Sequence, residues 1–239
     1  MSIFKAFPKL SIKKIKLPKS INGRETQFFV NHCAETFEVS IPPTENYYEI
    51  KDDEVSTVFQ DQNNLIYKFV KPRKWHEYYK TFYGRSRTSK EVLANVRLKE
   101  LGFSVPVIHE FSIAVVPTHF KGYTGYYIME PVNGLGDAQT YFKDLSHSAR
   151  EKFVNHLIND LNKLKKNRIV YADLSLSNIF CSIEGDLCWI DTAIKEYPES
   201  QKGKFVKDWD KSFNKLMAWE KKLKILSESE LLKIRESVT

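Results

Sequence analysis

Cysteine is scarce in this chain, and the three present, Cys33, Cys181 and Cys188, form an odd set without metal-ligand spacing. That argues against a disulfide scaffold and against a cysteine metal centre, and the expectation is buried, reduced thiols. No stretch approaches the ~20 consecutive apolar residues of a membrane-spanning helix, and Met1 to Asn22 lacks the apolar run of a secretory signal. The expected location is the cytoplasm. Glycine and proline number nine each and are scattered, and no internal repeat or low-complexity tract breaks up the 239 residues.

Acidic residues are absent before Glu25, while Lys5, Lys9, Lys13, Lys14, Lys16, Lys19 and Arg24 all precede it. Those seven cations account for the whole formal charge of +7, because the remaining basic and acidic residues number thirty each. Residues 1–24 therefore read as a basic arm on a neutral body. Ile3, Phe4, Phe7, Leu10, Ile12, Ile15 and Leu17 alternate with these cations. The mixture suits an anionic membrane face, where each cation adds ~1 kcal/mol. A solvated terminus is the plainer alternative.

With 42% hydrophobic residues and 16 Phe, the body can bury a substantial core. Residues 25–132 read mostly as strands, namely Gln27 to Val39, Asn46 to Lys51, Val55 to Gln60, Leu65 to Val70, Phe111 to Val116 and Tyr126 to Met129. Asp61-Gln62-Asn63-Asn64 has the composition of a hairpin turn, so an antiparallel sheet is expected. A helix over Ser89 to Leu101, spaced by Val92, Val96 and Leu101 and stopped by Gly102, would pack on it. Beyond Val132-Asn133-Gly134-Leu135-Gly136 the apolar spacing lengthens to three or four, which places a lobe boundary at 132/133 and makes residues 133–239 mainly helical. One helix is expected after a capping box of Ser148 and Glu151, with Phe153, Leu157, Leu161 and Leu164 on its apolar face. A second carries Trp209, Phe213, Leu216, Trp219 and Leu223. The fold class is thus α+β, with two lobes.

Two aspartates eighteen residues apart, Asp173 and Asp191, carry the chemistry, and Asn178 follows the first by five. Phosphoryl transfer from ATP needs a carboxylate to accept the proton of the incoming hydroxyl and oxygen ligands to hold Mg²⁺ on the phosphates. Asp173 suits the first task, Asn178 and Asp191 the second. An Asp and an Asn five apart also cap turns in many chains. Here a long helix precedes them, the strand Ile179-Phe180-Cys181 follows, and the turn Glu184-Gly185-Asp186 leads to a strand ending at Asp191, so a small hairpin would bring the three together.

Upstream, Lys68 interrupts the apolar strand Leu65 to Val70, where it needs an anionic partner unless it snorkels from an edge strand. A nucleotide phosphate is one such partner. Glu91 on the following helix is the favoured carboxylate to hold the ammonium, and Glu100 on the same helix competes with it.

Asp173-Leu174 with Asn178, Asp191-Thr192-Ala193, and Tyr127-Ile128-Met129-Glu130 together resemble, in order, the catalytic loop, the metal-binding Asp-Phe-Gly segment and the adenine-binding hinge strand of the protein kinase-like superfamily. The resemblance covers about residues 45–225. It implies a kinase-like bilobal fold using ATP and Mg²⁺, with Lys68 on the phosphates and backbone groups of Glu130 to Val132 on adenine. The chain departs from that pattern in two places. Asp191 is followed by Thr-Ala, and no glycine lies between Tyr47 and Phe82, so the phosphate-covering turn at Asp52-Asp53-Glu54 lacks the usual backbone freedom.

Ser175 stands where kinases acting on serine or threonine carry lysine, and no Ala-Pro-Glu segment follows Asp191, which disfavours a protein substrate. The tract Lys71-Pro72-Arg73-Lys74-Trp75 with Phe82 to Arg87, the pattern from Glu91 to Pro106, and Phe205 to Asp210 resemble the bacterial lipopolysaccharide core kinases, the Kdo and heptose kinases. That resemblance implies a lipopolysaccharide-core or other lipid-linked sugar acceptor and an enzyme in the cytoplasm or on the inner membrane's cytoplasmic face. It makes Asp210 a structural anchor of the catalytic loop. The basic stretch Lys71 to Lys90, with Lys71, Arg73, Lys74, Lys80, Arg85, Arg87 and Lys90, reads as an acceptor surface or as a solvated face. No nucleic-acid motif accompanies it, so nucleic acid is not an expected partner. The same scaffold also serves kinases of other small molecules, such as an aminoglycoside or a free sugar, and regulatory pseudokinases.

Overall fold

The computed structural model describes residues 9–16, 25–32, 48–74, 76–77, 80, 86–114 and 123–238. The chain divides into two compact units, one of Met1–Arg97 with Pro106–Pro131, the other of Leu98–Val105 with Val132–Thr239.

The first unit is built on seven strands, β1 (Lys9–Lys16), β2 (Glu25–His32), β3 (Tyr48–Asp52), β4 (Ser56–Gln60), β5 (Ile66–Val70), β6 (Ile108–Ala114) and β7 (Gly125–Met129). They form one sheet in the order β1-β2-β6-β7-β5-β4-β3, and every neighbouring pair is antiparallel. The β4–β5 turn forms as its composition dictates. Asp61 Oδ1 accepts the N–H groups of Asn63 and Leu65, and Asn64 takes a left-handed φ of 63° that its short polar side chain tolerates. The basic arm is not wholly a tail, since β1 lies within it and pairs with β2 at one edge of the sheet. The strand expected from Gln27 runs from Glu25 to His32, and Cys33 to Val39 lie outside the described residues, as do Val115 and Val116.

The helix α1 (Arg87–Glu100) begins two residues earlier than its apolar spacing suggests, because the buried Ser86 hydroxyl accepts the Ser89 N–H at its start. Val92 packs with Val70, Ile108, Phe111 and Tyr127 in one apolar cluster. Alternation sends Phe59, Phe69 and Tyr126 to the opposite face, where the Phe69 ring meets those of Phe59, Tyr123 and Tyr126 edge-on or tilted. Lys68 sits in β5, which is an interior strand, so it is no edge lysine reaching solvent.

The second unit is mainly helical. Its elements are β8 (Gly136–Asp137), α2 (Ala138–Tyr141), α3 (His147–Lys166), β9 (Ile169–Tyr171), β10 (Ile179–Cys181), β11 (Leu187–Trp189), β12 (Ile194–Glu196), α4 (Lys202–Leu223) and α5 (Glu228–Ser237). Ser146, not Ser148, caps α3, its hydroxyl accepting the Ala149 N–H at 3.3 Å, so the box expected from Ser148 and Glu151 is not the cap. A capping box does form at α5, between Ser227 and Glu230. Phe153, Leu157, Leu161 and Leu164 of α3 and Trp209 and Leu216 of α4 are buried in one core with Trp189 and Tyr171. Each such side chain contributes roughly 1.5–3 kcal/mol by leaving water. Leu98–Val105 joins this unit because Phe103 packs edge-on against Trp189 and the Ser104 carbonyl accepts the Trp189 N–H at 2.8 Å. Among the described residues no helix is long and apolar enough to cross a membrane. Cys181 and Cys188 are free, and burial raises both thiol pKa values.

Candidate active site

Two short antiparallel pairs in the second unit hold the loop around Asp173. β9 pairs with β12 and β10 with β11. Asp173 follows β9, Asn178 immediately precedes β10, and Asp191 lies on the stretch from β11 to β12. Hydrogen bonds knit these stretches together. Asn178 Nδ2 donates to the Asp173 carbonyl at 2.8 Å, the Ile190 N–H donates to the Asn178 carbonyl at 2.9 Å, and the Ala172 N–H donates to the Ala193 carbonyl at 2.7 Å. Asp173, Asn178 and Asp191 are thus tied to one small framework. Asp191 has a φ of 53°, a strained conformation of the kind that collects at functional sites.

The framework rests on buried side chains. Tyr171 OH donates to the Ile190 carbonyl at 2.6 Å, and Ser212 of α4 donates to the Tyr171 carbonyl at 3.0 Å. Trp189 donates its indole N–H to Asp160 of α3 at 2.8 Å, while Lys163 pairs with the other Asp160 oxygen. The Asp173 side chain is open to solvent and meets Lys215 of α4 at 3.0 Å.

Asp210, expected to anchor this loop, is exposed on α4. Asp208, two residues earlier, is engaged by Tyr197 and Lys195 instead. Glu220, about three helical turns further along α4, also reaches the loop, where Oε1 accepts the Leu176 N–H at 3.4 Å. Glu220 is fully buried, Oε2 has no hydrogen-bond partner, and burial pushes the carboxyl up to about 7 against the opposing pull of the Leu176 N–H. Sequence reasoning missed it. The available signal was a glutamate on the same helical stripe as Leu216 and Met217, a position that ordinarily carries an apolar side chain.

Oxygen ligands suit Mg²⁺, and Asn178 and Asp191 supply them. Because Asn178 spends its amide nitrogen on the Asp173 carbonyl, its Oδ1 is directed away from that bond, as a ligand oxygen must be. Among the described residues no group of three or more His, Cys, Asp or Glu side chains forms a metal cluster.

In the first unit, Lys68 Nζ lies 3.2 Å from Glu91 Oε2, both side chains being buried. Glu100 is exposed. Tyr127 OH also donates to Glu91 Oε2, at 3.1 Å, and Arg87 Nε donates to Oε1 at 2.8 Å. Arg87 thus turns toward Glu91 and is not simply part of an outward basic face, while Arg85 lies outside the described residues. Elsewhere in that tract Lys71 bonds the Asp52 carboxylate at 2.5 Å and the Asp53 carbonyl at 2.7 Å.

The glycine-free turn between β3 and β4 is closed by a side chain. Asp53 Oδ1 accepts the N–H groups of Val55 and Ser56, both at 2.8 Å. Burial raises the Asp53 carboxyl, but Lys51 and these two N–H groups outweigh it and hold the group at about 2. Those N–H groups are already spent. In the segment after β7, the Glu130 N–H donates to the Val107 carbonyl at 2.9 Å.

An antiparallel sheet with one helix in the first unit, and a mainly helical second unit carrying Asp173, Asn178 and Asp191, make this an α+β protein of the class expected from its sequence. No family model matches the chain, and no curated protein matches it. Among solved structures, one described as WaaP in complex with acyl carrier protein is similar over 81% of this chain and 77% of that one, at 11% identity and a TM-score of 0.49. That is a distant likeness of fold and says nothing about substrate or partner.

Proposed function

We propose that this chain is an ATP-dependent phosphotransferase that phosphorylates a hydroxyl of an inner-core lipopolysaccharide sugar, Kdo or heptose. The reading is carried by the hydrogen-bonded knot that ties Asp173 to Asn178 and Asn178 to the residue before Asp191. Asp173 accepts the proton of the attacking hydroxyl. Asn178 and Asp191 hold Mg²⁺, which neutralises charge on the phosphates when bound. The first unit contributes Lys68 to the α and β phosphates, with Glu91 directing it, and Glu130 and Val132 offer backbone groups to adenine. The acceptor follows from the resemblance of the Lys71, Glu91 and Phe205 segments to the core kinases. The basic arm gives the enzyme affinity for an anionic membrane face.

One observation favours a regulatory pseudokinase as the second reading. The turn at Asp52-Asp53-Glu54 spends its N–H groups on its own Asp53 and presents carboxylates where a phosphate-covering loop ordinarily presents free donors. Calorimetry with Mg-ATP, followed by incubation with a Kdo- or heptose-bearing lipid A acceptor, separates the readings. A mass gain of about 80 Da, one phosphoryl group, is expected on the acceptor. Asp191→Asn is expected to weaken Mg-ATP binding by removing a charged ligand. Binding without any transfer supports the pseudokinase, and transfer only to an aminoglycoside or free sugar supports a different small-molecule kinase.

A further inference from the structure

Arg87 and Glu91 are one turn apart on α1, so their side chains share a face. The carboxylate of Glu91 is divided between its neighbours. Oε1 takes Arg87 Nε at 2.8 Å, and Oε2 takes Lys68 Nζ at 3.2 Å and Tyr127 OH at 3.1 Å. Glu91 is 2% exposed, and Arg87 Nη1 is itself buried with no hydrogen-bond partner. A carboxylate facing a single lysine is free to turn about its last bond and offer both oxygens to the ammonium. The guanidinium opposes this, since its Nε–H engages Oε1 and leaves Oε2 for Lys68.

We propose that Arg87 is a positioning residue for the nucleotide phosphates. It acts through Glu91, setting the point from which Lys68 is directed, and it adds a second cation beside the polyphosphate. The proposal rests on the reading of Lys68 as a phosphate contact. It assigns Arg87 to the nucleotide and not to the sugar acceptor, and it predicts that the 87–91 pair matters in proportion to the phosphate content of the ligand.

The test is calorimetry with ADP, inorganic tripolyphosphate and adenosine as probes, on the full chain and on Arg87→Gln, Arg87→Lys and Lys68→Met. For Arg87→Gln the dissociation constants of ADP and tripolyphosphate are expected to rise about tenfold, or about 1.4 kcal/mol, with adenosine unchanged. Arg87→Lys restores charge but not the Nε–H at that point, and it is expected to recover part of the loss; it also serves if the glutamine variant fails to fold. Wild-type affinity for ADP and tripolyphosphate in both Arg87 variants, alongside a loss in Lys68→Met, overturns the role of Arg87 and leaves the kinase reading standing. An equal loss for all three probes marks Arg87 as merely structural and also overturns the proposal. If the unaltered protein binds neither ADP nor tripolyphosphate, the kinase reading falls and takes this proposal with it.

Discussion

Lys215 Nζ lies 3.0 Å from Oδ1 of Asp173, and both side chains are open to solvent. α4 thus supplies a cation to the proposed base. An exposed pair of this kind contributes at most about 1 kcal/mol to stability, so its effect is on the charge beside the proposed base. Asp173→Asn is expected to lower turnover by ~10²–10⁴ with nucleotide affinity kept, and Lys215→Ala to leave the melting temperature unchanged. Steady-state kinetics with calorimetry checks both. Near wild-type turnover in Asp173→Asn would remove it as the base.

Glu220 makes stability depend on pH. Its folded pKa of about 7 stands above the ordinary glutamate value of 4.5, so the folded chain holds this proton more tightly than the unfolded one. The resulting stabilisation is fully present below about 4.5 and is lost as pH rises through about 7. The amount is of order 3 kcal/mol. Glu220→Gln cannot ionise, so its stability relative to wild type is expected to increase from pH 5 to pH 8. Urea unfolding at the two pH values measures the difference, and a constant offset would show that Glu220 does not titrate in this range.

Gly185 turns the chain between β10 and β11 with a φ of 79°, and a Cβ there would stand 2.0 Å from the Ala149 carbonyl oxygen of α3. Both the left-handed backbone and the clash oppose a side chain. Gly185→Ala is expected to cost at least about 2 kcal/mol and to disturb the framework between Asn178 and Asp191. Unchanged stability in denaturant would mean that the β10–β11 turn can shift freely.

The basic arm includes β1, so deleting residues 1–20 would strip a strand from the sheet as well as remove charge. Replacing Lys5, Lys9, Lys13, Lys14, Lys16 and Lys19 by glutamine removes the charge alone. Binding to anionic vesicles is expected to fall at low salt and, less steeply, at physiological salt, where charges act over about 8 Å. Co-sedimentation equal to wild type at both salts would make the arm's charge irrelevant to membranes.

Local patterns were legible in the chain itself. Apolar spacing marked the presence of α3 and α4, β-branched and aromatic content marked β4, β5 and β7, and Asp61 to Asn64 announced a turn, because these features depend on neighbours a few residues away. The spacing of Asp173, Asn178 and Asp191 was legible for the same reason, since one hairpin joins them. Partner choice was not legible, because it depends on which side chains meet across the fold. Only the tertiary structure brought the Tyr127 hydroxyl to Glu91 and drew Leu98–Val105 into the second unit through Phe103 and Trp189. It likewise passed over Asp210 for Glu220, since an α4 carboxylate can meet the Leu176 N–H only from the face that the surrounding core has buried.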